Sequence, residues 1–125
     1  MAHTVLYIED NPDNMTLVQR ALESRGYKLL KAANGLTGVA MAEQEDVDLI
    51  LLDINLPDID GYEVALRLRA SSKLALKTVP IIAVTANALK GDADKALNAG
   101  CDVYMSKPIN IRELWARVEG FIPIP

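Results

Sequence analysis

The chain has 125 residues, of which 50% are hydrophobic and 24% charged, enough for one compact domain with a sizeable core. The formal net charge of -4 leaves no basic surplus for nucleic acid or an anionic membrane surface. The single cysteine, Cys101, excludes an internal disulfide and a CxxC metal site. No cationic leader precedes an apolar stretch, and no segment approaches the roughly twenty apolar residues of a membrane span. A soluble, cytoplasmic protein is expected.

Short apolar runs alternate with amphipathic stretches. The first strand is predicted over Thr4 to Ile8, followed by a helix from Pro12 to about Ser24. Pro12 suits a first helical turn, Met15, Val18 and Leu22 recur at helical spacing, and Gly26 stops the helix. Lys28 to Lys31 is a second strand. Leu36, Val39 and Ala40 mark a second helix ending near Glu43 to Glu45. Asp48 to Leu52 is a third strand, apolar on both faces, as at the centre of a covered parallel sheet. After the turn sequence Pro57-Asp58-Ile59-Asp60-Gly61, a third helix carries Val64 and Leu68. Ser71 to Thr78 reads as a loop, and Pro80 to Val84 as a fourth strand. Leu89, Ala93 and Ala96 share one face of a fourth helix, which Gly100 ends. Val103 to Met105 is a fifth strand, and Ile111, Leu114, Trp115 and Val118 form the apolar stripe of the last helix.

Five strands alternating with five helices predict an α/β doubly wound sandwich spanning residues 1–125. Strand order 2-1-3-4-5 is a common right-handed solution, with its ligand crevice at the carboxyl ends of the first and third strands. Glu9-Asp10 lie at the first of those ends and Asp53 at the second. Thr85 and Lys107 end the fourth and fifth runs.

Three carboxylates gathered at one edge repel strongly. At about 4 Å and an effective dielectric of about 20, each pair costs roughly 4 kcal/mol. Hydration, partial protonation or a cation must offset this. Oxygen-only ligands point to Mg²⁺, held directly by Asp10 and Asp53, by Glu9 through a water, and by the backbone carbonyl of Asn55. A carboxylate beside such a metal can attack phosphorus to give an aspartyl phosphate, and Asp53 is the central candidate. The metal and the Lys107 ammonium would offset charge on the phosphoryl oxygens, and the Thr85 hydroxyl could donate to one of them. Each residue also has an ordinary reading. Glu9-Asp10-Asn11-Pro12 can cap a helix, Asp58 and Asp60 suit turn and capping positions, and Cys101 suits a buried small residue. Taken alone, Thr85 suits a helix start, Lys107 a solvated position and Tyr104 a half-buried strand position, while His3 suits an exposed one. Their shared position at one end of successive runs favours the chemical reading.

Glu9-Asp10-Asn11, Asp53 with Leu56-Pro57 and Gly61, Val84-Thr85-Ala86 and Lys107-Pro108 together resemble the receiver domain of bacterial two-component response regulators. The resemblance covers essentially the whole chain, in a single-domain, chemotaxis-regulator-like arrangement. It implies a flavodoxin-like (βα)5 fold and Mg²⁺-dependent phosphorylation of Asp53 by a histidine kinase or histidine phosphotransfer protein. It also implies that Thr85 is the switch hydroxyl, Lys107 the phosphate-contacting lysine and Tyr104 the rotating aromatic. The Lys107-Pro108 bond is implied to be cis, although base rates favour trans. Asn55 and Asn87 match positions that affect phosphoryl lifetime. Such a module catalyses only its own phosphorylation and dephosphorylation.

The chain ends soon after the last helix, so no output domain is expected, unless the sequence is a receiver from a larger protein. A downstream protein would read the surface of the fourth helix, fifth strand and fifth helix, with the chain a monomer or a phosphorylation-dependent dimer. The alternative is a Mg²⁺-dependent aspartyl-phosphate phosphatase or phosphotransferase. Enzymes resembling the haloacid dehalogenase family place two aspartates after the first strand, whereas Asp53 and Asn55 follow the third. A nucleotide- or flavin-binding domain is disfavoured, because no GxGxxG or GxxxxGK[ST] loop is present.

Overall fold

A computed structural model of the chain describes residues 2–86 and 91–124. Five strands, β1 (Thr4–Ile8), β2 (Lys28–Ala32), β3 (Leu49–Asp53), β4 (Ile81–Thr85) and β5 (Val103–Ser106), form one parallel sheet of order β2-β1-β3-β4-β5. Helices α1 (Pro12–Glu23), α2 (Gly35–Gln44), α3 (Gly61–Ala70), α4 (Asp92–Asn98) and α5 (Ile111–Phe121) cover its two faces. This is the predicted doubly wound sandwich. No helix among the described residues is long and apolar enough to cross a membrane.

Period-2 alternation sorts the strand side chains into two cores. Leu6, Ile8, Ile50, Leu52, Ile81 and Ala83 pack with side chains of α2, α3 and α4. Val5, Tyr7, Leu49, Leu51, Ile82, Val84 and Met105 pack with those of α1 and α5. The three inner strands are therefore apolar on both faces, as their sequences require.

Helix starts follow from short polar side chains. Asn11, Asn34, Asp60 and Asn110 each accept backbone N–H bonds at the first turns of α1, α2, α3 and α5. Pro12 occupies the first turn of α1. Gly26 and Gly100, both at positive φ, follow the ends of α1 and α4.

Several elements depart from the sequence reading. The 71–78 segment is not all loop, because Leu74–Lys77 form a 3-10 turn that buries Leu76. Lys73 donates to the Ala42 and Glu45 carbonyls and Lys77 to the Ser71 carbonyl, tying this turn down. In α2, Leu36 and Ala40 are exposed, while Gly35, Gly38 and Ala42 are buried, Gly35 against Ile59 and Val64 and Gly38 against Ile8 of β1. A Cβ at Gly38 would stand 2.5 Å from Ile8 Cδ1, so a close approach to β1 selects the inward face. Strands β3 and β4 each begin and end one residue later than expected, and their last residues are held in the ladder, where Asp53 pairs with Val84 and Thr85 with Ser106. Leu89, expected on the fourth helix, lies outside the described residues, as does Asn87.

Candidate metal and phosphoryl site

The register brings the site together. Ile8 lies beside Leu52, so the next residues, Glu9 and Asp53, meet at adjacent strand ends. Alternation puts Glu9, Asp53 and Lys107 in line with Tyr7, Leu51 and Met105, on the α1/α5 side. Thr85 follows Ile81 and Ala83, on the α3/α4 side. Asn11 takes the capping role at α1, accepting from Asp13 N at 2.8 Å and Asn14 N at 3.1 Å. Glu9 and Asp10 are thus left for other work.

One oxygen each of Glu9, Asp10 and Asp53 lie within 4.8 Å of one another. Glu9 and Asp53 are buried and Asp10 is exposed. Lys107 Nζ stands 3.0 Å from Asp53 Oδ1 and 3.6 Å from Glu9 Oε1. The Asn55 N–H donates to Asp53 Oδ1 at 3.1 Å. Asp53 Oδ2, also buried, has no hydrogen-bond partner among the described residues. Such an orphaned oxygen beside two further carboxylates is what a hard divalent cation would complete. One lysine cannot balance three carboxylates, so the donor set fits Mg²⁺ by charge as well as by atom type.

Glu9 is the most constrained acid. Its Oε1 accepts from the Tyr7 hydroxyl at 3.1 Å and Asn14 Nδ2 at 3.0 Å, and its Oε2 from the Asp10 N–H at 3.1 Å. Burial and then the neighbouring Asp53 push its carboxyl above the usual range, while Asn14 and Lys107 oppose that rise. Tyr7 and Asn14 were not among the residues singled out from sequence. The signal for Tyr7 was present, since it lies two positions before Glu9 and so on the same face of a strand.

The remaining expected residues are also located. The Thr85 hydroxyl is buried and donates to Asp92 Oδ2, in the first turn of α4, at 3.0 Å. Tyr104 is 39% exposed on β5. The Lys107–Pro108 peptide is cis. Asn55 is exposed beside Asp53. Gly61 N–H donates to the Ile54 carbonyl at 2.9 Å, and a Cβ there would stand 2.6 Å from Ile54 Cα and 2.8 Å from the Asp53 carbonyl oxygen. Only glycine lets α3 start this close to the loop after Asp53. Asp58 accepts from the Leu36 and Gly35 N–H groups, both at 2.8 Å, which anchors the same loop to α2. Cys101 is buried, and burial pushes its thiol up to about 11, so it packs rather than reacts. His3 sits at the opposite end of β1 from Glu9, 3.7 Å from Asp48.

A parallel sheet of this order, with acids at the β1 and β3 ends and a lysine after β5, defines a doubly wound α/β domain whose polar side chains gather in the crevice at the carboxyl ends of its strands. The family model of the response regulator receiver domain matches residues 5–119. The chain belongs to that family, the receivers of two-component signalling. It is 37% identical to the polar-differentiation response regulator DivK of Brucella anthropi, over 98% of each chain. Among solved structures it is similar to the receiver domain of sensor histidine kinase PA1611 from Pseudomonas aeruginosa PAO1, at 39% identity and TM-score 0.89, over 98% of each. That structure holds a magnesium ion coordinated in its active-site cleft. It is also similar to the receiver domain of Ssk1 from Saccharomyces cerevisiae, crystallised with the histidine phosphotransfer protein Ypd1, at 30% identity and TM-score 0.88. That match covers 96% of this chain and 88% of the other. The phosphatase alternative is not favoured by these matches.

Proposed function

We propose that Asp53 is the phosphoacceptor and that phosphorylation requires Mg²⁺. The observation that carries this reading is the state of its carboxylate: Oδ1 is held by Lys107 and the Asn55 N–H, while buried Oδ2 has no partner among the described residues. Asp10 and Asp53, the Asn55 backbone carbonyl and, through a water, Glu9 would hold the ion. When bound, it would supply Lewis-acid charge against the phosphoryl oxygens. A carboxylate oxygen of Asp53 attacks the phosphorus of a phosphohistidine. The new O–P bond forms as the P–N bond breaks, and the imidazole nitrogen keeps the electron pair. Lys107, already in reach of Asp53, compensates the charge gathering on the transferred group.

The donor is a histidine kinase or a histidine phosphotransfer protein, a reading supported by the kinds of protein this chain is similar to. A downstream protein docks on the α4-β5-α5 face, where Leu97, Tyr104, Ser106, Glu113 and Arg117 line a groove of about 280 Å³. Thr85 couples site and face, because its hydroxyl must exchange Asp92 for the phosphoryl group. A hydrogen bond to a charged group contributes about 1.5–3 kcal/mol, a population shift of roughly ten- to a hundredfold or a little more.

Incubation with a small phosphodonor and Mg²⁺, followed by intact-mass measurement, tests the acceptor. One base-labile phosphoryl group is expected, absent without Mg²⁺ and absent from Asp53→Asn. An unmodified wild-type chain, or an Asp53→Asn chain that is modified equally, overturns the proposal.

A further inference from the structure

Tyr7 is a completely buried side chain in the middle of the sheet, and its ring packs in the apolar core between the sheet and helices α1 and α5. Packing explains the ring but not the hydroxyl. A phenol oxygen buried without a partner costs about 1–3 kcal/mol, so a phenylalanine would serve the core better unless the hydroxyl has a task. The partner it has is the Glu9 carboxylate, at 3.1 Å. Burial, and then the charge of Glu9, raise the phenol's pKa, which keeps it a donor.

Glu9 Oε1 therefore holds two neutral donors, the Tyr7 hydroxyl from β1 and Asn14 Nδ2 from α1. The Lys107 ammonium approaches that oxygen only to 3.6 Å, beyond good hydrogen-bond length, yet reaches Asp53 Oδ1 at 3.0 Å. The two neutral donors occupy the lone pairs that the ammonium would otherwise take.

We propose that Tyr7, together with Asn14, is a positioning residue for the metal site: it fixes the Glu9 carboxylate within the acidic cluster and keeps it from drawing Lys107 off Asp53. This inference rests on the reading of Asp53 as a Mg²⁺-dependent phosphoacceptor. It assigns a role to β1's interior that packing alone would not require. Without the hydroxyl, Glu9 turns to Lys107, and the resulting ion pair competes with the divalent cation for the same carboxylate.

Partners of metal-binding side chains change affinity by about 10–100-fold when removed from direct ligands. Glu9 is expected to act through a water, so about 3–10-fold is expected here. The test is calorimetric titration of the full chain with Mg²⁺, for wild type, Tyr7→Phe and Asn14→Ala, alongside phosphorylation rates from a small phosphodonor at varied Mg²⁺. Both variants should bind Mg²⁺ more weakly by that factor. Both should need correspondingly more Mg²⁺ for half-maximal rate, with the rate at saturating Mg²⁺ within about twofold of wild type. A residue that only packs would change stability in chelator and leave the Mg²⁺ dependence alone, so that result overturns the inference. Should Tyr7→Phe fail to fold, Asn14→Ala decides by itself, because it donates to the same oxygen from an independent element. A wild-type chain that binds no Mg²⁺ and is not phosphorylated overturns the underlying reading and this inference together. Wild-type-like titrations of the variants, beside a competent wild type, overturn this inference alone.

Discussion

Neutralising Asp10 should make the metal-free protein more stable. Asp10 is exposed, and its carboxylate lies within 4.8 Å of those of both Glu9 and Asp53. Lys107 serves the other two acids, and no cation lies within ion-pair distance of Asp10 among the described residues. At that separation each repulsion amounts to about 0.9 kcal/mol in water's dielectric of about 80, and about 3.5 kcal/mol at an effective value of about 20. Exposure places Asp10 near the lower figure, so relief of two repulsions in Asp10→Asn contributes about 2 kcal/mol at low salt. The substitution keeps the backbone bond from residue 10 to Glu9 Oε2, so little is lost in exchange. For a domain of this size, each kcal/mol moves Tm by about 3–6 °C. Urea or thermal unfolding in chelator measures the effect, which should shrink as salt rises from about 0.05 to 0.5 M. Adding Mg²⁺ at about ten times its Kd should stabilise wild type by about 1.4 kcal/mol and leave the variant nearly unmoved. A variant no more stable than wild type in chelator, or one that gains equally from Mg²⁺, would refute the clustering of charge on which the site rests.

Three other expectations follow from particular contacts. The Leu36 N–H and then the Gly35 N–H hold the Asp58 carboxyl down at about 2, from an ordinary 3.8. Because its folded value is depressed, Asp58 adds stability that is complete above the unfolded value and is lost as pH falls through about 2; a carboxyl titration by NMR with a midpoint near 3.8 would contradict this. Gly61→Ala should cost about 1–3 kcal/mol and slow phosphorylation, since its Cβ meets backbone at Ile54 rather than a yielding side chain; unchanged urea midpoints and rates would count against the close approach. Thr85→Ala should still accept a phosphoryl group at Asp53 yet lose the phosphorylation-induced chemical-shift changes at Tyr104; shifts like those of wild type would show that the coupling runs elsewhere.

The covered parallel sheet was legible because the third strand carries apolar side chains on both faces, while its order was read as a common doubly wound solution that places the acids at one crevice. The charged residues were legible as a group because they end successive runs. Contacts that depend on how one element rotates against another were not. The outward Leu36 and inward Gly38 of α2 reflect how closely that helix approaches Ile8, which helical spacing cannot express. Asn14 reaches Glu9 because Asn11, rather than Glu9 or Asp10, caps α1 and sets its first turn against the strand end. The Thr85–Asp92 bond depends on the path from β4 to α4, and sequence spacing alone does not specify it.

The alternation of the strands also bears on how a charge at Asp53 could be read at a distance. Glu9, Asp53 and Lys107 continue the core on the α1/α5 side, whereas Thr85 continues the core on the α3/α4 side. Both cores are closely filled, so rearrangement through the sheet interior would disturb many buried contacts at once. At the carboxyl edge that constraint ends, because the strands stop there. Thr85 is the last residue of β4, and its hydroxyl bonds to the first turn of α4. On the proposed mechanism, one hydroxyl changing partners at this edge replaces a contact of α4 with a contact to the phosphoryl group. The energy of that exchange is one charge-assisted hydrogen bond against another, so its balance lies within the reach of a single added phosphoryl group. A signal carried at the rim can thus alter the α4 surface while the apolar layers that hold the fold together stay in place.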